Sequence, residues 1–253
     1  MPRSQPLVPV LTLVLLTLPA LARAQAPAAQ APPPPPPGWT GSFAAGVAAT
    51  QGNSDTSTVN LAYDVKRDTG SNLLFKSVGL FIRGESEGEL TTNRLAFEGR
   101  VDRKLSELTS VYGSLQYLRD EFKQIDYLVS PTVGLSRFLV KNERTEFAVD
   151  GGIGVVWEKN PGRELQTDGA VTAGQNYKVK LGAASDFTQR FSALWKMDDF
   201  DDGLYIFGVG VAASFTTQTQ IKVELLDTFK NKPPNADVKK NDVALLVSFV
   251  YKF

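Results

Sequence analysis

Apolar and polar residues alternate along most of this chain. In STVNLAYDVKR, Val59, Leu61, Tyr63 and Val65 fall on one side, and Asn60, Asp64 and Lys66 on the other. TNRLAFEGRVDR sets Leu95, Phe97 and Val101 against Arg94, Glu98, Arg100 and Asp102. TEFAVDGGIGVVW and QIKVELL repeat the pattern. So does the terminal DVALLVSFVYKF, with Val243, Leu245, Val247, Phe249, Tyr251 and Phe253 at every second position. A period of two marks a β-strand with one apolar and one wet face, because successive side chains leave the pleat on opposite sides. Twelve such segments are predicted, starting near Trp39, Ser57, Leu73, Asn93, Val111, Tyr127, Glu146, Thr167, Phe187, Tyr205, Ile221 and Val243.

The connections between segments carry a second pattern. Counted from the N-terminus, the odd ones are TQGNSDT, GESEGELTT, RDEFKQID, EKNPGRELQTD, DDFDDG and DTFKNKPPNADVKKN. The even ones are RDTGSN, RKLSELTS, VKNERT, LGAASD and TTQTQ. The odd set is longer on the whole, more acidic, and holds the loop prolines. Long loops at one end and short turns at the other are the asymmetry of an outer-membrane barrel. An even strand number also brings the last strand beside the first, so the terminal strand need not present a free edge.

The expected fold is therefore all-β: a closed antiparallel transmembrane β-barrel of about twelve strands over residues 39–253. Its apolar side chains face lipid. Asp64, Lys66, Arg94, Glu98, Arg100, Lys222 and Glu224 line the lumen, with Glu146, Asp150, Lys178, Arg190 and Lys196 as further inward candidates. Their mixed signs favour ion pairs across the lumen over a single-sign selectivity ring. Trp39, Tyr63, Tyr117, Trp157, Tyr205, Tyr251 and Phe253 fall near predicted strand ends, where aromatic girdles sit. A soluble sandwich or lipocalin-like barrel alternates too, but with its apolar face inward. Orientation decides between them.

The N-terminus adds an export reading. MPRSQP is followed by the apolar run LVPVLTLVLLTLPALA and by Ala22-Arg23-Ala24, the form of a signal peptide (1–24) cleaved near Ala24. Residues 25–38 include six consecutive prolines and form an extended periplasmic spacer. Lys plus Arg and Asp plus Glu each number 27, so no basic footprint for nucleic acid is present.

The chain contains neither Cys nor His. Disulfides, thiolate and imidazole metal sites, and Ser-His-Asp or Cys-His triads are thereby excluded. Carboxylate acid–base chemistry could draw on Asp120 with Glu121, or on Glu98 with Asp102. A solvated turn explains the first pair, and an ion-paired wall with Arg94 and Arg100 the second. Asp198, Asp199, Asp201 and Asp202 in DDFDDG offer oxygen ligands for a divalent ion. The order of an EF-hand fails there, because Phe200 and Val209 stand where oxygen ligands belong. No catalytic residue and no cofactor are expected.

Three stretches carry a family resemblance: GWTGSFAAGVAATQGNSDTSTVNLAYDV, YLRDEFKQIDYLVSPTVGLSRFL and TFKNKPPNADVKKNDVALLVSFVYKF. Together they resemble the salt-induced outer-membrane proteins, also called domain of unknown function 481. The resemblance implies an outer-membrane location and a link to salt or envelope stress, and it carries no reaction or ligand with it. SFVYKF, with Tyr251 and Phe253, is similar to the C-terminal signal of bacterial barrels, which implies insertion by the barrel-assembly machinery. Expected partners are outer-membrane lipid and lipopolysaccharide, around a monomer. The expected role is non-enzymatic and structural; a narrow passive channel for ions or small solutes is the alternative, and a His-free enzyme the last choice. If the barrel reading holds, the protein fractionates with membranes and its unboiled form migrates differently from its boiled form on a gel. Recovery in osmotic-shock fluid would identify the soluble sandwich instead.

Overall fold

A computed structural model of the chain describes residues 38–50 and 55–253. The expected signal peptide, most of the spacer and the Gly52-Asn53-Ser54 turn lie outside the described residues. Those described form twelve strands: β1 (Trp39–Thr50), β2 (Thr56–Asp68), β3 (Leu73–Ser86), β4 (Glu89–Lys104), β5 (Thr109–Asp120) and β6 (Ile125–Lys141), then β7 (Thr145–Lys159), β8 (Gln166–Lys180), β9 (Ser185–Lys196), β10 (Gly203–Ser214), β11 (Thr219–Lys230) and β12 (Asn241–Lys252). Each pairs antiparallel with its sequence neighbours, and β1 pairs with β12, so the sheet closes into a barrel.

Orientation follows from exposure. Val59, Leu61, Val247 and Phe249 are all exposed, while Asn60 and Ser248 between them are buried. The greasy face points outward and the polar face inward, the arrangement a bilayer requires and water does not tolerate. The soluble alternative is thereby excluded.

Short turns join the even-numbered strands to the next odd ones, and small polar side chains shape them. Asn142 Oδ1 accepts the N–H groups of Arg144 and Thr145 at 3.0 and 2.8 Å. Ser106 Oγ and Thr216 Oγ1 do the same for Thr109 and Thr219. Such side chains mimic a backbone acceptor and fix the reversal locally. At the opposite rim, the connection GESEGELTT is not the long loop expected. β3 and β4 run through it to a two-residue turn at Glu87 and Gly88, both with positive φ (54° and 80°). Two positive φ values match a turn whose twist suits the flanking strands, so the hairpin lengthens instead of looping. β4 accordingly starts at Glu89, not near Asn93.

Two positions show how the wall stays hydrogen-bonded. Pro131 lies inside β6, where it has no N–H to donate, and the β6–β7 pairing skips from Val129↔Trp157 to Thr132↔Gly154. The neighbouring Ser130 hydroxyl donates to the Val155 carbonyl at 3.0 Å and occupies an acceptor there. At the β1–β12 seam, Gly41 and Phe253 exchange both backbone hydrogen bonds at 3.0 Å. Phe43 and Phe253 stack above them at 5.3 Å. The seam ladder is short: four residue pairs, from Ser42↔Lys252 to Ala45↔Phe249. The next residue, Gly46, lies so near the Val247 carbonyl and the Asn60 side chain that a Cβ there would overlap both. Gly46→Val is therefore expected to prevent closure. Overpacking of this kind costs about 1–3 kcal/mol, and it reads out as loss of the heat-modifiable gel form while Val47→Ala, on the lipid face, keeps it.

Candidate functional site

The lumen is built in layers, and the rim carrying the longer loops is the closed one. Leu118, Leu128, Val156, Ala170, Leu194 and Leu204 point inward from β5 to β10 and pack into one buried cluster with Ile125. Ile82, Leu226 and Leu246 form a second cluster from β3, β11 and β12. Two apolar clusters, drawn from most of the strands, thus occupy this half of the barrel.

Charges cover those clusters at the strand ends. Glu158 is the penultimate residue of β7 and is only 1% exposed. Its oxygens meet Lys196 from β9 at 2.9 Å and Lys230 from β11 at 2.9 Å. Asp202 meets the same two ammonium groups at 2.8 and 3.2 Å. Asp168 lies 3.8 Å from Lys196, and Asn160 donates to Glu158 at 3.2 Å. Beside this set, Arg94 of β4 reaches across to Thr228 of β11 and lies 3.8 Å from Asp120. Charges removed from water at this depth are tolerated only when paired, since isolation costs several kcal/mol per ion.

Two loops complete the closure. Lys123, in the β5–β6 connection, is 0% exposed. Its ammonium donates to the Lys239 and Lys240 carbonyls at 2.9 and 2.8 Å and meets Asp242 at 2.8 Å. Those partners belong to the β11–β12 connection and the start of β12, on the far side of the ring. Asn235 bonds Gln124 across the same gap at 2.7 Å.

The other half of the lumen is wetter. Arg100 bonds Asp102 at 2.9 Å and Asp150 of β7 at 3.0 Å, with its guanidinium 3.6 Å from the Tyr112 ring centre. Lys76 joins Asp102 at 3.0 Å. Lys222 and Glu224 pair at 2.6 Å, and Arg190 of β9 faces Asp64 of β2 at 3.7 Å with both side chains more than half exposed. The interior is packed and ion-paired beneath the longer loops and more exposed toward the short-turn rim.

The inward candidates divide between these layers. Arg94 belongs to the sealed end. Asp64, Glu98, Arg100, Lys222 and Glu224 belong to the wetter half, and Lys66 sits near its rim on the same face as Asp64. Asp102 lies on an ion-paired wall with Arg100 and Lys76, but Glu98 forms no ion pair among the described residues, and Arg94 faces Asp120 instead. Asp120 is not in a solvated turn: it is buried, accepts the Lys123 N–H at 3.1 Å and faces Arg94. Glu121 is exposed and accepts from Asn93 at 2.8 Å. The aspartates of DDFDDG do not converge on one point. Asp202 turns inward to the lysines, whereas Asp199 pairs with Lys232, whose hydrogen bond holds the Asp199 carboxyl below its usual range. Among the described residues no group of three or more His, Cys, Asp or Glu side chains is placed to hold a metal. Tyr251 and Phe253 flank the seam, opposite Phe43 and Gly41.

Sequence reading missed Glu158, Lys230 and Lys123, because it placed all three in loops. β7 and β11 continue to Lys159 and Lys230. Extending their alternation by one residue past Trp157 and four past Leu226 would have put Glu158 and Lys230 on the inner face. The girdles are also partly elsewhere. Trp195, Tyr205 and Phe229 cluster near the sealed rim, and Phe147, Tyr177 and Phe187 near the open one. Tyr63 is not at a strand end; it lies over Gly79 and bonds Ser77 at 3.1 Å.

Residues 43–253 match the family described as "Protein of unknown function, DUF481". The chain belongs to the DUF481 family. No curated protein matches the sequence. Among solved structures, the DUF481 barrel is similar to an outer-membrane channel from Pseudomonas putida F1, at 13% identity and a TM-score of 0.51, over 91% of this chain and 100% of that one. It also matches the translocator domain of the autotransporter NalP from Neisseria meningitidis, at 12% identity and a TM-score of 0.45, over 85% and 87%. At such identities the likeness concerns the fold.

The sealed layer makes a stability prediction. Lys196→Met leaves Glu158 one cation and strips Asp168 of its own, so a loss of about 3–5 kcal/mol is expected from the broken buried set. Lys222→Met, in the wet half, should cost about 1 kcal/mol or less. Urea unfolding of the refolded barrel measures both.

Proposed function

We propose that this chain is a non-enzymatic barrel of the bacterial outer membrane whose resting lumen does not conduct. One observation carries the reading: the buried Glu158, Lys196, Lys230 and Asp202 set lies over two apolar clusters drawn from most of the strands. A solute passing that level would have to separate four paired charges and displace packed leucines. In this reading the longer loops face outside and the more exposed half faces the periplasm. The similarity in fold to an outer-membrane channel supports the location. The salt or envelope-stress setting implied by the family, and insertion through the Tyr251–Phe253 strand end, belong to the same proposal.

A second reading has one observation in its favour. The half-exposed Asp64 and Arg190 line a wetted vestibule, which suits a narrow channel that opens only when the sealed layer is released.

Planar-bilayer recording of the refolded protein distinguishes the two. The closed reading expects no stable current step from the native chain. It expects steps once Lys196→Ala and Lys230→Ala, which unpair Glu158 and Asp202 together, are combined with Lys123→Ala, which frees the β5–β6 connection. Arg100→Ala alone should stay silent, because the sealed layer lies elsewhere. Steady conductance from the native protein would overturn the closed reading.

A further inference from the structure

The lipid-facing wall holds a hollow of about 520 Å³ beside the seam. Two consecutive outward rows build it across five strands. One runs Phe249, Ala45, Leu61, Phe81 and Leu95. The other runs Tyr251, Phe43, Tyr63, Gly79 and Phe97. Ala45 is small where its neighbours are large, and the Tyr63 ring folds down over Gly79, so the other rings stand as walls around a depression. The lining is apolar throughout, which suits an alkyl chain and nothing charged.

The strands below the hollow lead to two cations. Four residues along β2 from Tyr63 stands Arg67, and six along β4 from Phe97 stands Arg103. Both are exposed and outward-facing at the open, short-turn rim. Arg67 lies over the Trp39 ring at 5.7 Å. Neither forms an ion pair with a carboxylate among the described residues, and the nearest acid on β2, Asp68, is engaged by Lys104 at 2.7 Å. At about 3.3 Å per residue the two arginines lie about 13 and 20 Å along the strands from the hollow. That spacing, on tilted strands, compares with about 15 Å for half the hydrocarbon core. The row between is Gly41, Val65, Ser77 and Gly99, small but for Val65, and Phe75 and Val101 stand outward between the two arginines.

We propose that this face is a binding site for one anionic phospholipid of the leaflet at the short-turn rim. Its phosphate sits against Arg67 and Arg103, and one acyl chain fills the hollow. Charge complementarity sets the headgroup end, since two unpaired guanidinium groups match phosphate oxygens. The tail lies over Phe43↔Tyr251 and Ala45↔Phe249, the two outward-facing pairs of the short seam ladder, and shields the point where that ladder stops. The site rests on the bilayer orientation of the wall and not on whether the lumen conducts, so a current recording leaves it untouched.

Native mass spectrometry tests it on the full chain refolded in lipid-free zwitterionic detergent, with phosphatidylglycerol, phosphatidylcholine or lipid A added. One retained phosphatidylglycerol per barrel is expected, about tenfold preferred over phosphatidylcholine. The Arg67→Ala, Arg103→Ala double variant should erase that preference. Ala45→Phe should reduce retention of both phospholipids, with gel migration confirming that each variant is folded. Equal retention of the two phospholipids by the native chain would overturn the proposal, as would a preference that survives loss of both arginines. Preferential retention of lipid A would do the same by assigning the face to the opposite leaflet.

Discussion

Every backbone N–H and C=O that meets hydrocarbon must be bonded within the protein, because no water is present to replace a missing partner. The rest of this structure follows from that constraint. It requires the sheet to close, and closure requires β1 to find β12. The demand is visible wherever the ladder is threatened. Pro131 removes a donor from a strand that has no free edge to hide it, and the Ser130 hydroxyl stands in at the Val155 carbonyl. Gly46 is where β1 approaches β12 and the Asn60 side chain of β2 too closely for any side chain. The seam is also the place where the constraint is met most thinly, with four residue pairs against eleven to fourteen at every other strand pair.

Turning the apolar face outward changes what can stabilise the inside. A soluble domain draws its cohesion from a large dry core, but here most large apolar side chains face lipid. Most of the remaining inward apolar residues make two clusters in one half of the barrel, and ion pairs fill much of the rest. Those pairs are unequal. Exposed ones such as Arg190 with Asp64 contribute about 0–1 kcal/mol. The Glu158 set is different in kind, since removing one partner strands a carboxylate that is only 1% exposed. Burial beneath the loops, not the number of pairs, is what makes the sealed end rigid.

The barrel was legible in the sequence because period-two alternation survives wherever one face is greasy. The strand starts at Ser57, Tyr127 and Phe187 fall within two residues of the structure for that reason. The inward charges Asp64, Arg94, Glu98 and Arg100 were legible by the same parity. The seal was not. Glu158 and Lys230 lie where alternation runs into Asn, Pro and Lys-rich stretches that look like loop, and nothing local says that these strands continue. Lys123 owes its burial to a connection more than 100 residues away, Lys239–Asp242. Such long-range pairing leaves no periodic trace. Asp120 misled for the converse reason: RDEF has the composition of a solvated turn, yet β5 carries it to the inner face.

Closure of the lumen and chemistry on the wall are therefore separable properties of one sheet. Opening the lumen means unpairing the Glu158 set and lifting the β5–β6 connection from Lys239 and Lys240. If a single broken buried pair costs about 3 kcal/mol, the open state is populated below about one part in a hundred before the loops are counted. A signal that opened it would have to bind the open form preferentially by at least that factor. The outer face has no such barrier. Its hollow is formed already, its walls are aromatic side chains fixed by strand register, and reaching it requires no loop to move. Whatever passes or fails to pass through the centre, the bilayer meets this wall directly, and discrimination among lipids there is set by where the arginines stand relative to the rings.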